Sequence, residues 1–454
     1  MFKSIHPFDQ SLVGEFPLMS ASAVQDKLHL ASIAFKDWKK TTFAYRGELM
    51  LKVAALIRQN KDEYARTITM EMGKILSEAK AEVEKSATAC EYFAQYAEEF
   101  LKDQFIPTEA RKSFVAFQPV GAVLAIMPWN FPFWQVFRFA VPAIMAGNVG
   151  LLKHAPNVTA CSLMIEKIFL EAGFPPGVFQ SLVIDVDLVE GIISSDIVQG
   201  VALTGSEAAG SKVASIAGKN IKRSVLELGG SDAFIVLPDA DLERTVKIAT
   251  QSRMQNVGQS CIAAKRFIVL HDVKDEFTSR FEENVRALVQ GNPFDEKSTL
   301  GPLARLDLAE KLESQLRRSV DQGGRLVTGG SRSGCNFQAT LLDNVIPGMP
   351  AFDEETFGPL GAIIDAKDEE EAIALANQSR FGLGATVWTQ DIERAERVAR
   401  QLDSGSVLIN MLMRSDVRLP FGGVKKSGYG RELSEFGIKE FVNVKTISIG
   451  QGDK

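Results

Sequence analysis

The sequence predicts an α/β fold. Short apolar runs of strand character recur along the chain, at 121–126, 149–153, 198–204, 267–270 and 406–410, with helical stretches between them. The 454 residues suffice for two or three domains and a large core. Apolar residues make up 45% and charged residues 24%, the balance of an ordinary soluble globular protein.

The elements follow in order. Residues 22–102 read as helices: Leu49, Val53, Leu56 and Ile57 fall at i, i+4, i+7 and i+8 and form one apolar face. The stretch 67–74 closes one helical section at Gly73. This region carries no obvious chemistry and is expected to pack on a sheet formed further along. Strand character begins at 113–117, either an internal hairpin or an exposed pair that a second subunit must cover. Residues 133–147 form a mostly apolar helix with one charge, Arg138. A charge there wants a carboxylate, supplied by an internal acid or by an acidic substrate.

The strand 149–153 ends in Lys153, and ligands of open α/β sheets bind beyond strand carboxyl ends. His154 reads as a surface histidine. Residues 172–178 are a turn rich in glycine and proline. The strand 198–204 runs into Gly205, Ser206 and, at the start of a helix, Gly210. Such a turn offers backbone N–H groups and a helix N-terminus to phosphate, or is simply a tight turn capped by Ser206. A helix at 245–255, a strand at 267–270, a helix at 304–322 and strands at 406–410 and 441–449 complete the alternation.

Charge and composition exclude several functions. A net charge of −6 gives no basic excess for nucleic acid. Cys90, Cys161, Cys261 and Cys335 form neither a CxxC pair nor a disulfide framework, which points to a reducing compartment, the cytoplasm. Four histidines with no HExxH pattern give no metal site. The N-terminus lacks the apolar run of a signal peptide, and no stretch approaches the roughly 18 apolar residues of a membrane span.

Three residues carry candidate chemistry. Cys261 ends the small, polar segment Gln-Asn-Val-Gly-Gln-Ser-Cys, on a turn between a helix and a strand. It is either a nucleophile whose surroundings supply a thiolate, or a small buried hydrophobe. Glu227 is a lone acid in an apolar run that ends in two glycines. It suits a general base poised near neutral pH, and equally an exposed acid at a strand end. Asn130 lies between Pro128 and Pro132, which fix the backbone around it. Its amide can donate to a developing oxyanion, or satisfy a local turn.

Glu-Leu-Gly-Gly at 227–230, with Gly-Gln-Ser-Cys ending 34 residues after Glu227, resembles the aldehyde dehydrogenase superfamily. So do Pro-Trp-Asn-Phe-Pro at 128–132, Glu-Thr-Phe-Gly-Pro at 355–359 and the Pro-Phe-Gly-Gly…Gly-Arg-Glu run at 420–432, so that the match covers nearly the whole chain. The resemblance implies a Rossmann-type cofactor domain (1–102 and 120–228, with 427–437 returning to it), an α/β catalytic domain (229–426) and a small β oligomerisation arm (103–119 and 438–454). It implies a homodimer or homotetramer, and NAD or NADP as cofactor. Cys261, Glu227 and Asn130 become nucleophile, water-activating base and oxyanion donor. Trp129, Lys153, Pro156, Gly205, Ser206 and Gly210 fall on the cofactor, as do Leu228, Glu355 and Phe357. Many NAD-preferring members have an acid where this chain has Pro156, so NADP stays open.

The overall match is similar to bacterial succinate-semialdehyde dehydrogenases of the shorter kind. That implies a carboxylate-bearing aldehyde, succinate semialdehyde, oxidised to succinate through a thiohemiacetal and a thioester that water hydrolyses. In those enzymes an arginine eight residues after the motif asparagine grips the substrate carboxylate, and Arg138 has that spacing. Gln135, Gln255, Ser415 and Phe421 are further substrate contacts, with Arg414 and Arg418 as candidate carboxylate partners. Gln255 stands where some members carry a second anchoring arginine, and Ala263 where some have a second cysteine. The alternatives are a general aliphatic aldehyde dehydrogenase, a cysteine acyl-transferase or amidase, and a non-catalytic binding protein.

Overall fold

Short polar side chains open the first helices. Ser20 Oγ accepts from the Ala23 N–H at 3.1 Å and Thr42 Oγ1 from the Tyr45 N–H at 3.2 Å, starting the helices Ala21–Trp38 and Phe43–Gln59. A third helix, Lys61–Met72, stops at Gly73, and Leu76–Leu101 follows. Val53 and Ile57 from the second helix and Val83 and Phe93 from the fourth are fully buried in one core. The computed structural model describes residues 1–450; residues 451–454 of the expected arm lie outside the described residues.

A six-stranded sheet receives these helices. Its order is Gly428–Tyr429, Arg223–Glu227, Val198–Thr204, Ala122–Met127, Val149–His154 and Phe179–Ser181. All pairings are parallel except that of Gly428–Tyr429, which runs back along Arg223–Glu227. The central strands are buried on both faces, which is why they read as continuous apolar runs rather than alternating ones. A seven-stranded sheet has the order Arg325–Thr328, Thr340–Asp343, Leu360–Ala366, Ala264–Leu270, Asp232–Val236, Gly384–Trp388 and Ser406–Ile409. Only its Arg325–Thr328 edge is antiparallel.

The crossing between the sheets positions the site. Strand Arg223–Glu227 ends at Glu227 and strand Asp232–Val236 begins at Asp232. The chain therefore leaves the carboxyl edge of one sheet and enters the amino edge of the other. Asn130, Lys153, Gly205 and Glu227 lie at carboxyl ends in the first sheet, while Cys261 and Glu355 precede strands of the second.

A separate three-stranded sheet pairs Gln104–Phe105, Lys112–Pro119 and Val442–Ile449, in register from Val442 opposite Pro119 to Ile449 opposite Lys112. Phe105, Ile106, Val444 and Ile449 are exposed on it. Among the described residues no helix is long and apolar enough to cross a membrane.

Asn148, fully buried, ties this sheet to the body. Its Oδ1 accepts from the Val120 and Gly121 N–H groups at 2.8 and 3.1 Å, and its Nδ2 donates to the Phe441 carbonyl at 2.9 Å. Replacing it with alanine strands three backbone groups, so Asn148→Ala should cost about 2–4 kcal/mol of unfolding free energy. Urea denaturation of both proteins checks this.

Candidate active site

The segment before Cys261 is wound tightly and held by buried cations. Helix Leu242–Met254, capped by Asp241, gives way to a turn in which Asn256 and Val257 take left-handed φ values of 52° and 56°. Such values cost of order 1–3 kcal/mol each in a residue with a side chain, so the surroundings must enforce them. Arg253 does much of this. Its guanidinium donates to the carbonyls of Gly258 (2.6 Å), Gly358 (2.6 Å) and Ala264 (3.1 Å). A Cβ on Gly258 would stand 2.3 Å from the Gly358 oxygen, so only glycine lets the two segments close. Lys265 clamps the other side: its ammonium donates to the Ser260, Cys261 and Ala263 carbonyls at 2.9, 2.7 and 3.0 Å. Glu78 completes the frame by accepting from the Asn256 N–H at 2.9 Å.

Cys261 is half-buried, and its exposed part faces a cavity of about 140 Å3. Burial pushes its thiol up to about 12, although Arg138 and Lys265 pull in the opposite direction. The resting group is therefore a thiol that needs a base or a further positive charge to become a nucleophile. Glu227 is a buried carboxyl rather than an exposed strand-end acid. Burial and the neighbouring Glu432 carboxylate hold its pKa well above the ordinary range, against Arg138 and Arg431. Among the described residues neither oxygen has a hydrogen-bond partner, and a Cβ on Gly422 would lie 2.7 Å from Oε1. Glu227 does not line the Cys261 cavity in this conformation.

Asn130 reaches the cysteine segment directly. Its Nδ2 donates to the Gln259 carbonyl at 3.0 Å, while Asn256 Nδ2 donates to the Asn130 carbonyl at 2.8 Å. An amide carries two N–H groups, so one remains for a ligand. His154 fixes the same segment and is not a surface residue. It is buried, its Nε2 lies 2.9 Å from the Pro132 carbonyl, and its Nδ1 accepts from the Ala155 N–H at 2.9 Å. Burial lowers its pKa to about 4, so it stays neutral and donates through Nε2. The chain could bury this histidine because the Pro132 carbonyl accepts its one proton and the Ala155 N–H donates to its other nitrogen.

The substrate candidates divide. Gln135, Arg138, Gln255, Arg414, Ser415 and Phe421 line the cavity. Arg138 also has the internal acid that the sequence left open: it forms an ion pair with Glu432, lies 3.3 Å from Thr204 Oγ1 and stacks 4.5 Å from the Phe421 ring centroid. Arg418 turns away onto Asp416 at 2.6 Å and does not reach the cavity, because the nearer carboxylate claims it. The helices of the first hundred residues, which looked inert, supply Glu78, Glu82 and Lys85 to the cavity wall. Glu82 Oε1 accepts from the Phe133 and Trp134 N–H groups at 2.8 and 3.0 Å, capping helix Trp134–Met145, while its Oε2 pairs with buried Lys74 at 2.6 Å.

The residues expected at a cofactor form two groups. Lys153 borders a cleft of about 310 Å3 whose walls include Ile126, Val189, Leu203, Val213 and Lys212. Ser206 caps helix Glu207–Lys219, accepting from the Ala209 N–H at 3.3 Å, and Gly210 packs beneath Leu228. Pro156 opens a short turn after strand Val149–His154. In the second group, Glu355 Oε1 accepts from the Gly230 N–H at 3.0 Å, and a Cβ on Gly229 would meet Oε2 at 2.5 Å. Trp129 and Phe357 meet edge to face, ring centroids 5.7 Å apart. A slot with apolar walls, two lysines and the acids Asp187 and Glu190, a capped helix N-terminus and a carboxylate beside aromatic rings fit the adenosine, phosphates and second ribose of a dinucleotide.

Arg253, Lys265, His154, Glu82 and Lys85 were not legible as site residues. Glu78, Glu82 and Lys85 do share one face of helix Leu76–Leu101, but a charged stripe on a helix ordinarily faces water.

A cysteine framed by an amide donor, together with residues that fit a dinucleotide, is the arrangement of an NAD(P)-dependent dehydrogenase. The chain belongs to the aldehyde dehydrogenase family, whose model matches residues 1–447, and is an NAD(P)-dependent oxidoreductase. A Synechocystis sp. protein named probable succinate-semialdehyde dehydrogenase, NADP(+), is 47% identical over 449 residues, covering 98% of this chain and 99% of that one. Succinate semialdehyde dehydrogenase Sad of Escherichia coli, NAD(P)+, is 46% identical over 98% of this chain and 97% of its own. The crystal structure of succinic semialdehyde dehydrogenase from Streptococcus pyogenes with NADP+ matches with a TM-score of 0.97 at 37% identity, covering 99% of this chain and 100% of that one.

With the thiol held near 12, only a small fraction is thiolate at neutral pH. Alkylation of Cys261 by iodoacetamide in the cofactor-free protein should therefore rise about tenfold per pH unit from 7 to 9 without levelling off. Mass spectrometry of the labelled peptide measures it; a plateau near pH 7 would contradict the burial argument.

Proposed function

We propose that the protein oxidises succinate semialdehyde to succinate, with NADP accepted as well as NAD. The observation that carries this reading is a cavity joining Cys261 to the cations Lys85, Arg138 and Arg414. An aldehyde whose far end is a carboxylate suits that pairing of nucleophile and positive charge. The names of the relatives agree with it. For the cofactor, Pro156 itself puts no carboxylate against a 2′-phosphate, and Lys153 and Lys212 offset Asp187 and Glu190 in the cleft wall.

In the proposed reaction Cys261 gives its proton to solvent water as its sulfur bonds to the aldehyde carbon. The free N–H of the Asn130 amide and the Cys261 backbone N–H stabilise the oxyanion of the thiohemiacetal. A bound nicotinamide, held by Glu355 and Phe357, would supply the hydride acceptor, and loss of hydride from the thiohemiacetal carbon would leave a thioester on Cys261. Glu227 takes a proton from water, the hydroxide adds to the thioester, and the Cys261 sulfur departs as the acid forms. Glu227 must swing from its pocket beside Gly422 toward the cavity to perform this step, leaving the burial that favours its protonated form.

A general aliphatic aldehyde is the second reading. The Glu432 partner of Arg138 and the apolar Trp134, Ile262 and Phe421 walls favour it. We further propose a cytoplasmic homo-oligomer assembled through the three-stranded arm, since exposed Phe105, Val444 and Ile449 call for cover. Light scattering after gel filtration reads the oligomer size.

Initial rates at 340 nm separate the substrate readings. Succinate semialdehyde should exceed butyraldehyde by a hundredfold or more in kcat/KM, about 2.7 kcal/mol in the transition state. Equal rates would leave only a general aldehyde dehydrogenase. Glu227→Gln should release about one equivalent of reduced cofactor per site in a burst and then stall as a Cys261 thioester, whereas Cys261→Ala should give no burst. Stopped-flow absorbance and intact-mass spectrometry read both.

A further inference from the structure

Among the described residues Lys85 and Arg414 are the cavity cations without an ion pair, and Lys85 is the half-buried one while Arg414 is exposed. Lys85 stands on helix Leu76–Leu101, with its ammonium 2.7 Å from Ser415 Oγ and 4.1 Å from the centroid of the Trp134 ring. Among the described residues it forms no ion pair within 4.0 Å, although its neighbours do: Arg138 pairs with Glu432, Lys74 with Glu82 and Arg418 with Asp416. An ammonium held against an aromatic face and a neutral hydroxyl retains donors for an anion. Arg138 has given its charge to a buried carboxylate and its face to Phe421, so it is the poorer anchor. Gln255 brings no charge at all.

We propose that Lys85, with Ser415 Oγ beside it, is the specificity-determining residue that binds the carboxylate of the substrate. The inference rests on the reading of a carboxylate-bearing aldehyde and names the group that recognises it. Ser415 fits the role from the other side: buried on the segment after strand Ser406–Ile409, it accepts from Lys85 and keeps its own hydroxyl hydrogen for a substrate oxygen.

The placement predicts a pH signature. Glu78 and Glu82 face the cavity from Lys85's own helix, Arg138 from helix Trp134–Met145 and Arg414 from the Ser415 segment, while Asp416 on that segment acts on Lys85 by its charge. Burial, helped by Arg138 and Arg414 and opposed by Glu82 and Asp416, brings the Lys85 ammonium down to about 7. The charged form is present below that pH and lost above it, so recognition of a carboxylate weakens as pH rises.

The test is the ratio of kcat/KM for succinate semialdehyde to that for butyraldehyde, measured on the full-length enzyme with saturating cofactor. In Lys85→Met the ratio should fall by about thirtyfold or more, and Lys85→Arg should restore most of it. In the unmodified enzyme the ratio should fall about fivefold or more between pH 7 and pH 8.5, and Lys85→Arg should abolish that dependence. An unmodified enzyme that prefers succinate semialdehyde, with the preference intact in Lys85→Met, overturns the role of Lys85 and leaves the substrate reading standing. No preference in the unmodified enzyme overturns that reading and this one together. Should Lys85→Met fail to fold, a ratio flat across pH in the unmodified enzyme overturns the proposal without any variant.

Discussion

Buried cations that end on backbone carbonyls hold this site in shape. Arg253, Lys265 and Arg266 are all buried, and each donates to three or more carbonyl oxygens rather than to a carboxylate. Carbonyls satisfy the hydrogen bonds of a charged donor, each such bond contributing about 1.5–3 kcal/mol, but they supply no opposing unit charge. The arrangement thus buys a rigid, left-handed turn before Cys261 and leaves positive potential around it. For the thiol, burial still wins over that potential. The consequence is a resting cysteine guarded against oxidation and alkylation, which becomes reactive only when the site receives what completes it.

The acids obey the same arithmetic with the opposite sign. Glu227 and Glu432 are both buried near one guanidinium, that of Arg138. Arg138 pairs with Glu432, and Glu432 in turn repels charge on Glu227. One cation cannot hold two buried carboxylates ionised, so Glu227 is the one driven toward its protonated form. This gives Arg138 a part in the site quite apart from any substrate: by pairing with Glu432 it sets how basic Glu227 is. A base of raised pKa is better matched to drawing a proton from water at neutral pH than an ordinary exposed glutamate.

What was legible in the sequence was what is local. The apolar runs at 121–126 and 149–153 announce strands because both faces of those strands are covered. Glu227 stood out as a lone acid before two glycines, and those glycines turn out to seat the Glu355 carboxylate, a purpose 125 residues away that no local pattern conveys. Arg253 sits in a helix like any surface arginine, and only the meeting of segments about a hundred residues apart reveals its fork to Gly258 and Gly358. His154 was misread for the same reason: its partner Pro132 belongs to a neighbouring turn that the sheet brings over it. Lys85 follows two acids along one helix face, and charge on a helix is read as solvent contact until another layer is seen to lie on it.

The direct contact of Asn130 with the cysteine segment explains why the chemistry needs both sheets. Asn130 follows the carboxyl end of a strand in the six-stranded sheet, and Cys261 precedes a strand of the seven-stranded one. Two hydrogen bonds join them, from Asn130 Nδ2 to the Gln259 carbonyl and from Asn256 Nδ2 to the Asn130 carbonyl. Neither sheet could orient the oxyanion donor toward the sulfur alone, since each carries only one of the two groups. A shift of about 1 Å between reacting groups can cost on the order of a hundredfold in rate. The reciprocal amide contacts make such a shift expensive, because separating them would leave the buried Asn130 amide and carbonyl unpaired. Catalytic alignment is therefore secured by the same bonds that dock one sheet's edge to the other's.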